Sequence, residues 1–461
     1  MLSTQPHRIA SEPCFPAMSA PRRFAAGILL IAILCASSAC AETARITFIL
    51  VNDIYLIADQ MMPDGERRGG FARLAAVVKA ERAKGGNVIL AHAGDTLSPS
   101  LMSGIDKGAH IVALTNVVAP DIFVPGNHEF DFGKSIFLQR MAEAKFPLYA
   151  ANLRGPDGAH LPSFKDRAIV TRDGVRIGFT GAAYDDSPRV SSPQDLRFAP
   201  TVATIKEQAE TLRREGADFV VAVVHADRRQ DYDIMATRAV DLLLSGHNHD
   251  LFIEYDGRSA VVESSYDALY VTAIDVTIDV KVADDRRVTT WWPQFRVIDT
   301  ADVTPDPDVA AAVAAYEREM SRDMDVPLGR TAVALDSRTA AVRTREAAIG
   351  NIVADAMRSA AHADVAIMNG GGIRGGKVYE VGAPMTRRSV LAELPFGNRV
   401  VTLDVSGRAL RAAIENGLSL LPNAAGRFPQ VSRVQVTVHK PHAPIAATFA
   451  DVGVTIVRDR G

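Results

Sequence analysis

The chain has 461 residues, of which 48% are hydrophobic and 23% are charged, and its formal net charge is −3. This is ordinary globular composition, with enough residues for two or three hydrophobic cores. It has no dense basic stripe with interleaved aromatic residues, which argues against a nucleic-acid polymer as partner and against an anionic membrane as binding surface.

The first segment, residues 1–41, is typical of a signal peptide. Arg22 and Arg23 precede a short apolar core, and Ala39-Cys40-Ala41 resembles a small-residue cleavage site. The apolar core is too short to span a bilayer comfortably, so we expect no stable span in the mature chain. The sequence favours cleavage over a lipid anchor on Cys40 and therefore predicts a periplasmic or secreted protein.

All three cysteines, Cys14, Cys35 and Cys40, lie in this leader. A mature chain cut after Ala41 would offer neither disulfides nor thiolate ligands. Any metal chemistry would then depend on nitrogen and oxygen ligands.

After the leader, apolar runs rich in β-branched residues alternate with helix-like stretches. The runs are ARITFILVND, NVILAHAGD, DIFVPGNHEFD, FPLYAANL, VRIGFTGAA, DFVVAVVHAD and VDLLLSGHNHD. Phe71, Leu74, Ala75 and Val78 fall at helical spacing, and TVATIKEQAETLRREG is a second amphipathic segment. This alternation predicts βαβ units around a buried sheet. The later run SAVVESSYDALYVTAIDVTIDV alternates more like antiparallel strands.

The segment TPDPDVAAAVAAYEREM predicts a connecting helix that begins near Asp306 or Pro307. We place the domain boundary at this helix. The sequence thus predicts a first domain over residues 42–300, a linker over 301–325 and a second domain over 326–461.

Polar residues of the first domain recur at the carboxyl ends of the apolar runs, where open α/β sheets bind ligands. They are Asp53, Tyr55, Asp95, Asn127, His128, His225, His247 and His249. Each alone has an ordinary explanation as a cap, a turn residue or a hydrogen-bonded side chain. Together, on successive strand ends, they indicate a metal site.

Residues i and i+2 of an extended chain point to the same side. We therefore expect His247 and His249 to face one centre, and Asp53 and Tyr55 to do the same. Carboxylate, carboxamide and imidazole donors suit Zn, Mn or Fe better than Ca. One shared carboxylate would allow two ions about 3.5–4 Å apart.

The motifs NDIY, GGFARL, AGD, GNHEFD, VVHAD and GHNHD, in this order, resemble the metallophosphoesterase domain of the 5′-nucleotidase family. The motifs TREAAIGNIVADAM, MNGGGIR and ELPFGNRVVTLDVSG resemble that family's nucleotide-binding domain. The resemblance runs from about Ile46 to about Ser432. It implies an α/β fold in which a β-sandwich flanked by helices is followed by a connecting helix and a second α/β domain.

The resemblance also implies two divalent metal ions, with Zn, Mn or Co favoured and Fe as an alternative. The implied ligands are Asp53, Asp95 and His249 for one ion and Asp95, Asn127, His225 and His247 for the other. His128, oriented by Asp131, would stabilise the phosphoryl oxygens or the leaving group.

In the second domain, the positions that the resemblance assigns to the nucleotide are Arg345, Asn369, Arg374, Phe396 and Asn398. An arginine fork suits phosphate or ribose hydroxyls, and a phenyl face stacks on a base without reading its edge. The alternatives are a glycine-rich turn, a core phenylalanine and solvated charges. Because the first domain carries a set of candidate metal ligands, we favour the nucleotide-binding interpretation for Arg374 and Phe396. For Arg345, nucleotide binding and a solvated surface charge stay equally open.

Two features depart from the family pattern. The family usually has histidine at the position of Tyr55, which would either pack beside the ion or bind it as a phenolate; we favour packing. No motif after Ser432 matches a second aromatic loop, so we expect a shortened second domain with weaker base binding.

Three functions follow from these observations. The leading one is an exported phosphohydrolase of nucleotides, with 2′,3′-cyclic nucleotides and nucleotide sugars as further substrates. The second is hydrolysis of another ester, as in a thiosulfohydrolase of sulfur oxidation, which Arg374 and Phe396 disfavour. The third, motivated by Tyr55 and by the missing aromatic loop after Ser432, is a catalytically impaired ligand-binding relative.

Overall fold

The structure is a computed structural model that describes residues 42–283, 286–439 and 453–458. These residues belong to one compact unit, Cys40–Gly461. The predicted signal peptide and part of the segment expected to be shortened lie outside the described residues. Within the described ranges no helix is both long and apolar enough to cross a membrane.

The first domain is built mainly from strands that match the apolar runs. The strands are β1 (Glu42–Val51), β2 (Gln60–Met61), β3 (Arg67–Arg68), β4 (Asn87–His92), β5 (Ile122–Phe123), β6 (Leu148–Tyr149), β7 (Leu153–Arg154), β8 (Phe164–Lys165), β9 (Arg167–Arg172), β10 (Val175–Ala182), β11 (Arg197–Phe198), β12 (Phe219–His225), β13 (Leu242–Gly246), β14 (Leu251–Tyr255), β15 (Ala260–Ser264), β16 (Tyr270–Ala283) and β17 (Arg286–Asp299).

Two sheets contain most of these strands. One has the order β17-β16-β1-β4-β5-β6-β8 and the other the order β14-β15-β13-β12-β10-β9. The strands from β1 to β8 in the first sheet, and β10, β12, β13 and β15 in the second, run parallel. The antiparallel expectation holds for β16 and for the pairing of β15 with β14, whereas β15 also pairs in parallel with β13 on its other side.

Helices cover the outer faces of the two sheets. They are α1 (Gly70–Ala83), α2 (Leu101–Asp106), α3 (Ala109–Val118), α4 (Lys134–Glu143), α5 (Ser187–Val190), α6 (Thr201–Arg214) and α7 (Arg228–Ala236). The inner faces of the sheets pack on each other through one core that includes Phe48, Phe179 and Phe219. This confirms the predicted α/β sandwich flanked by helices.

The connecting helix α8 (Pro307–Met324) begins where the sequence predicted it. Asp306 caps it by accepting a hydrogen bond from the Val309 N–H, and proline is tolerated in the first turn. Val309 and Val313 are buried in the outer core of the first domain, so this helix is fixed to that domain.

The second domain is smaller and has short strands. Its elements are β18 (Pro327–Arg330), β19 (Leu335–Asp336), α9 (Thr339–Val342), α10 (Ala348–Ala361), β20 (Ala366–Asn369), β21 (Val378–Tyr379), β22 (Pro384–Thr386), α11 (Arg387–Glu393), α12 (Gly407–Leu418), β23 (Pro429–Ser432), β24 (Val434–His439) and β25 (Gly453–Arg458). Between α11 and α12, residues 398–406 are exposed and belong to no strand or helix. Val401 and Leu403 in this segment are 75% and 78% exposed.

Candidate metal centre

The predicted ligands converge at the carboxyl ends of the parallel strands of both sheets. Asp53 follows β1, Asp95 follows β4, Asn127 follows β5, His225 ends β12, and His247 follows β13. Because the two sheets face each other, the strand ends of both meet at one edge of the sandwich.

Four of these residues have left-handed backbone conformations. The φ angles are 53° for Asp53, 56° for Asp95, 101° for His247 and 61° for His249. Such conformations are uncommon in residues other than glycine and cluster at functional sites. The expectation that His247 and His249 lie on extended chain is therefore wrong, since β13 ends at Gly246 and both residues have positive φ angles.

One group of donors, which we call the His225 site, consists of Asp95, Asn127, His225 and His247. The His225 Nε2 lies 3.1 Å from the Asp95 Oδ2 and 3.2 Å from the His247 Nδ1. Ligand atoms of Asp95, His225 and His247 all lie within 4.8 Å of one another. Asn127 is buried, and its Oδ1 has no hydrogen-bond partner among the described residues.

The second group, which we call the Asp53 site, consists of Asp53, Tyr55, Asp95 and His249. The His249 Nε2 lies 3.2 Å from the Asp53 Oδ1. The Tyr55 hydroxyl oxygen lies 3.0 Å from the Asp53 Oδ1, 3.2 Å from the Asp95 Oδ2 and 3.1 Å from the His249 Nε2. The Asp95 Oδ2 thus faces both sites.

The donor sets fit metal ions on chemical grounds. Both groups combine carboxylate oxygen with imidazole nitrogen, which first-row transition ions accept. The Asn127 Oδ1 is an unpartnered buried acceptor, and a cation at the His225 site would satisfy it. The His225 Nδ1 lies 2.7 Å from the Ala93 carbonyl oxygen, which orients the Nε2 toward Asp95.

Electrostatics at the His225 site show where positive charge is favoured. Burial lowers the pKa of His225, but the charge of Asp95 and its hydrogen bond outweigh burial and raise the pKa to about 10. Burial raises the pKa of Asp95, yet the positive charges of His225 and His128 hold it below its ordinary value. The Asp95 carboxylate therefore stabilises a positive charge at the His225 Nε2, which is where a metal ion would bind.

Burial dominates at two other groups of the centre. It lowers the pKa of His247 to about 4, so this imidazole is neutral and free to donate a lone pair. It also raises the pKa of Tyr55 well above its usual range, and the charges of Asp53 and Asp95 add to this effect.

Glu129 supports the centre and was not identified as a site residue from the sequence, although it lies inside the GNHEFD motif. Its buried carboxylate accepts hydrogen bonds from the backbone N–H groups of Asp95 (2.9 Å), Thr96 (2.6 Å), Leu97 (3.1 Å) and Gly126 (2.5 Å). It therefore joins the loop after β4 to the loop after β5. A Cβ atom at Gly126 would lie 2.1 Å from the Asp95 Oδ1, so this close approach requires glycine.

Two tyrosines pack against the histidines of the GHNHD loop. The Tyr184 ring lies 4.3 Å from the His247 ring, and the Tyr266 ring lies 5.1 Å from the His249 ring. These contacts restrict the imidazole orientations that the left-handed backbone sets up.

His128 lies beside Asp95 and Tyr55, and Asp131 orients its ring. Its Nδ1 lies 2.6 Å from the Asp131 Oδ2, and the Asp131 Oδ1 accepts a hydrogen bond of 2.7 Å from the Ser191 hydroxyl. The His128 Nε2, 4.0 Å from the Asp95 Oδ2, is left facing the centre. Burial lowers the pKa of His128, but Asp95 and Asp131 outweigh burial and raise it.

The second domain brings two of its five predicted residues to this centre. The Phe396 ring stacks on the His128 ring at 6.1 Å with an interplanar angle of 13°, and the Arg374 guanidinium lies 5.5 Å from the Phe396 ring centroid. Asn398 is exposed, and the Asn369 side chain donates to the Gly426 carbonyl at 3.3 Å.

Arg345 and Arg343 differ in their surroundings. Arg345 is 66% exposed and pairs with Asp336 at 3.5 Å. Arg343 is partly buried, its Nε has no hydrogen-bond partner among the described residues, and burial together with the charge of Arg374 lowers its pKa. The motif TREAAIGNIVADAM contains Arg345 and begins directly after Arg343, so the motif pointed to Arg345 and did not show that Arg343 interacts with Arg374.

Two family profiles match the chain. Residues 46–251 match the calcineurin-like phosphoesterase profile, and residues 327–460 match the profile of the 5′-nucleotidase C-terminal domain. A 5′-nucleotidase of Diplobatis ommata is 27% identical over 455 residues, which cover 90% of this chain and 78% of that protein. A snake venom 5′-nucleotidase of Naja atra is 25% identical, covering 87% of this chain and 83% of that protein.

Solved structures share the fold. A 5′-nucleotidase precursor from Thermus thermophilus superimposes with a TM-score of 0.72 at 25% identity, covering 85% of this chain and 82% of that chain. A sulfate thiohydrolase, SoxB, from the same organism superimposes with a TM-score of 0.65 at 18% identity, covering 89% of this chain and 85% of that chain. At that identity the second likeness concerns the fold alone.

Replacing Glu129 tests whether its carboxylate holds the two loops together. We expect Glu129→Ala to lower the free energy of unfolding by about 2–4 kcal/mol, because it leaves buried backbone donors unsatisfied. Urea unfolding of the first domain measures this, and elemental analysis should show less bound metal. Glu210→Ala, at an exposed position on α6, is the control. Equal unfolding midpoints for the two variants would contradict this role of Glu129.

Proposed function

Because the chain belongs to the 5′-nucleotidase family of phosphoric ester hydrolases, we propose that it hydrolyses phosphate esters of nucleotides with a centre of two divalent metal ions. The observation that carries this proposal is the Asp95 carboxylate, whose Oδ2 faces both donor groups. One carboxylate between two donor groups is the arrangement that a two-metal hydrolytic site requires.

One set of residues would bind the ions, and a different set would contact the substrate. Asp53 and His249 would hold one ion, Asn127, His225 and His247 the other, and Asp95 both. When bound, the ions would neutralise phosphoryl oxygens and lower the pKa of water. Zn, Mn and Co are the favoured ions and Fe is the alternative.

His128 would act on the departing oxygen of the phosphate ester. Asp131 holds its Nδ1, so the Nε2 is the atom that can donate a hydrogen bond or a proton to substrate. The raised pKa of His128 keeps a proton available there. Phe396, which belongs to the second domain, stacks on the His128 ring and limits the access of water to it.

Nucleotide recognition would come from the second domain. Arg374 reaches the centre, where its charge acts on both Tyr55 and His128. We assign the role of a second nucleotide-binding arginine to Arg343, because Arg345 is exposed and already paired with Asp336. Asn369 and Asn398 stay predicted nucleotide contacts. Export to the periplasm or the exterior likewise stays a prediction from residues 1–41.

The first test is phosphate release by the full-length protein. We expect hydrolysis of nucleoside monophosphates that chelators abolish and that added Mn, Zn or Co restores. Phosphate and nucleoside are measured separately, so that the site of cleavage is known. Sulfate release from an S-thiosulfonate, with no release from any nucleotide, would favour the thiosulfohydrolase alternative. A folded, metal-loaded protein that hydrolyses neither would instead favour the ligand-binding relative.

Replacing His128 tests whether this residue acts in catalysis or in metal binding. We expect His128→Ala to lower kcat by about 100-fold or more with an unchanged metal content, since its Nε2 faces the centre without belonging to either donor group. Elemental analysis of the same preparation supplies the second measurement. Loss of one ion in this variant would reassign His128 as a ligand.

The two arginines can be compared directly. We expect Arg343→Ala to raise KM for a nucleotide by about 10-fold or more, because a charge-assisted hydrogen bond is lost. Arg345→Ala should change KM by less than about twofold, as expected for an exposed ion pair. Neither substitution should alter hydrolysis of a small aryl phosphate, which has no nucleoside to bind. A larger rise in KM for Arg345→Ala than for Arg343→Ala would instead assign nucleotide binding to Arg345.

A further inference from the structure

We propose that Tyr55 is itself a metal ligand and binds the ion of the Asp53 site through its phenolate oxygen. This inference rests on the proposed metal centre and replaces the expectation that Tyr55 only packs beside the ion. It concerns ion binding, so it does not depend on which ester is the substrate.

The distances around the hydroxyl oxygen carry the proposal. This oxygen lies 3.0 Å from the Asp53 Oδ1, 3.2 Å from the Asp95 Oδ2 and 3.1 Å from the His249 Nε2, and the Asp53 and His249 atoms lie 3.2 Å apart. Four donors at bonds of about 2.0–2.1 Å around a tetrahedral ion lie about 3.3 Å from one another. The atoms of Asp53, Tyr55 and His249 are therefore spaced as three ligands of one ion, and the Asp95 Oδ2 adjoins the Tyr55 oxygen.

Hydrogen bonding satisfies these contacts only in part. A phenol has one proton to donate, and two carboxylate oxygens lie within 3.2 Å of its oxygen. The two carboxylates must share that proton in a three-centre bond, which is weaker than two separate hydrogen bonds. A cation bound by the phenol oxygen and the carboxylates would make both contacts fully attractive.

The hydroxyl is fixed at this place by the surrounding chain. Tyr55 is 6% exposed, and its backbone N–H donates to the Asp267 Oδ1 at 2.7 Å. Its ring meets the His128 ring edge-on at 5.6 Å and the His249 ring at 5.6 Å. Burial and these ring contacts hold the side chain with its oxygen toward the donors.

A phenolate changes which ion the Asp53 site prefers. With Tyr55 bound, the site has three anionic oxygen donors and one imidazole, a harder set than a site with two imidazoles. Such a set favours a trivalent ion such as ferric iron. The phenol proton leaves to solvent as the oxygen–iron bond forms, and the iron enters already ferric, so no electron is transferred.

The test loads the full-length protein with ferric citrate and records the visible spectrum and the iron content. We expect a phenolate-to-iron charge-transfer band with about one ferric ion per chain. Tyr55→Phe should abolish the band and weaken ferric binding by about 100-fold or more, beyond the usual cost of losing an outer contact. Tyr55→His should lose the band and still hold a zinc ion at the site.

Tyr266→Phe is the matched control, because Tyr266 also touches His249 but through its ring face. This variant should keep both the band and the iron. A wild type that binds no ferric iron, or binds it without colour, overturns the proposal. A band that persists in Tyr55→Phe, or disappears in Tyr266→Phe, also overturns it. None of these readouts requires hydrolysis, so failure of the proposed nucleotide activity is a separate result.

Discussion

The Asp95 carboxylate is the interaction on which the rest of the site depends. Its Oδ2 lies near His225 and near Tyr55, its Oδ1 accepts the His128 N–H at 2.7 Å, and its own N–H donates to Glu129. One side chain thus sets the spacing of two donor groups and the position of the neighbouring acid–base candidate. Two facing sheets are needed because each donor group takes carboxylate donors from the first sheet and imidazole donors from the second.

The sequence predicted the scaffold well because buried parallel strands read as apolar runs, and the predicted runs are the observed strands. It also indicated that the candidate ligands lie close together, since polar residues directly after parallel strands lie at one edge of the sheet. It did not predict how His247 and His249 point, because their left-handed φ angles are set by tertiary contacts. Strand alternation does not extend past Gly246.

Two supporting residues were missed for a related reason. Glu129 is a carboxylate inside a recognisable motif, and only the fold shows that four backbone N–H groups from two loops converge on it. Arg343 and Arg345 are chemically equivalent in the sequence. The fold separates them, because one side chain turns inward beside Arg374 while the other meets Asp336 at the surface.

The exposed segment 398–406 affects how the protein behaves in concentrated solution. Val401, Leu403 and Val405 are spaced so that an extended chain carries them on one side, and all three are more than half exposed. An exposed apolar segment that belongs to no strand can pair with another chain. Self-association on storage would therefore begin at this segment of the second domain, in molecules whose metal centre is still fully folded.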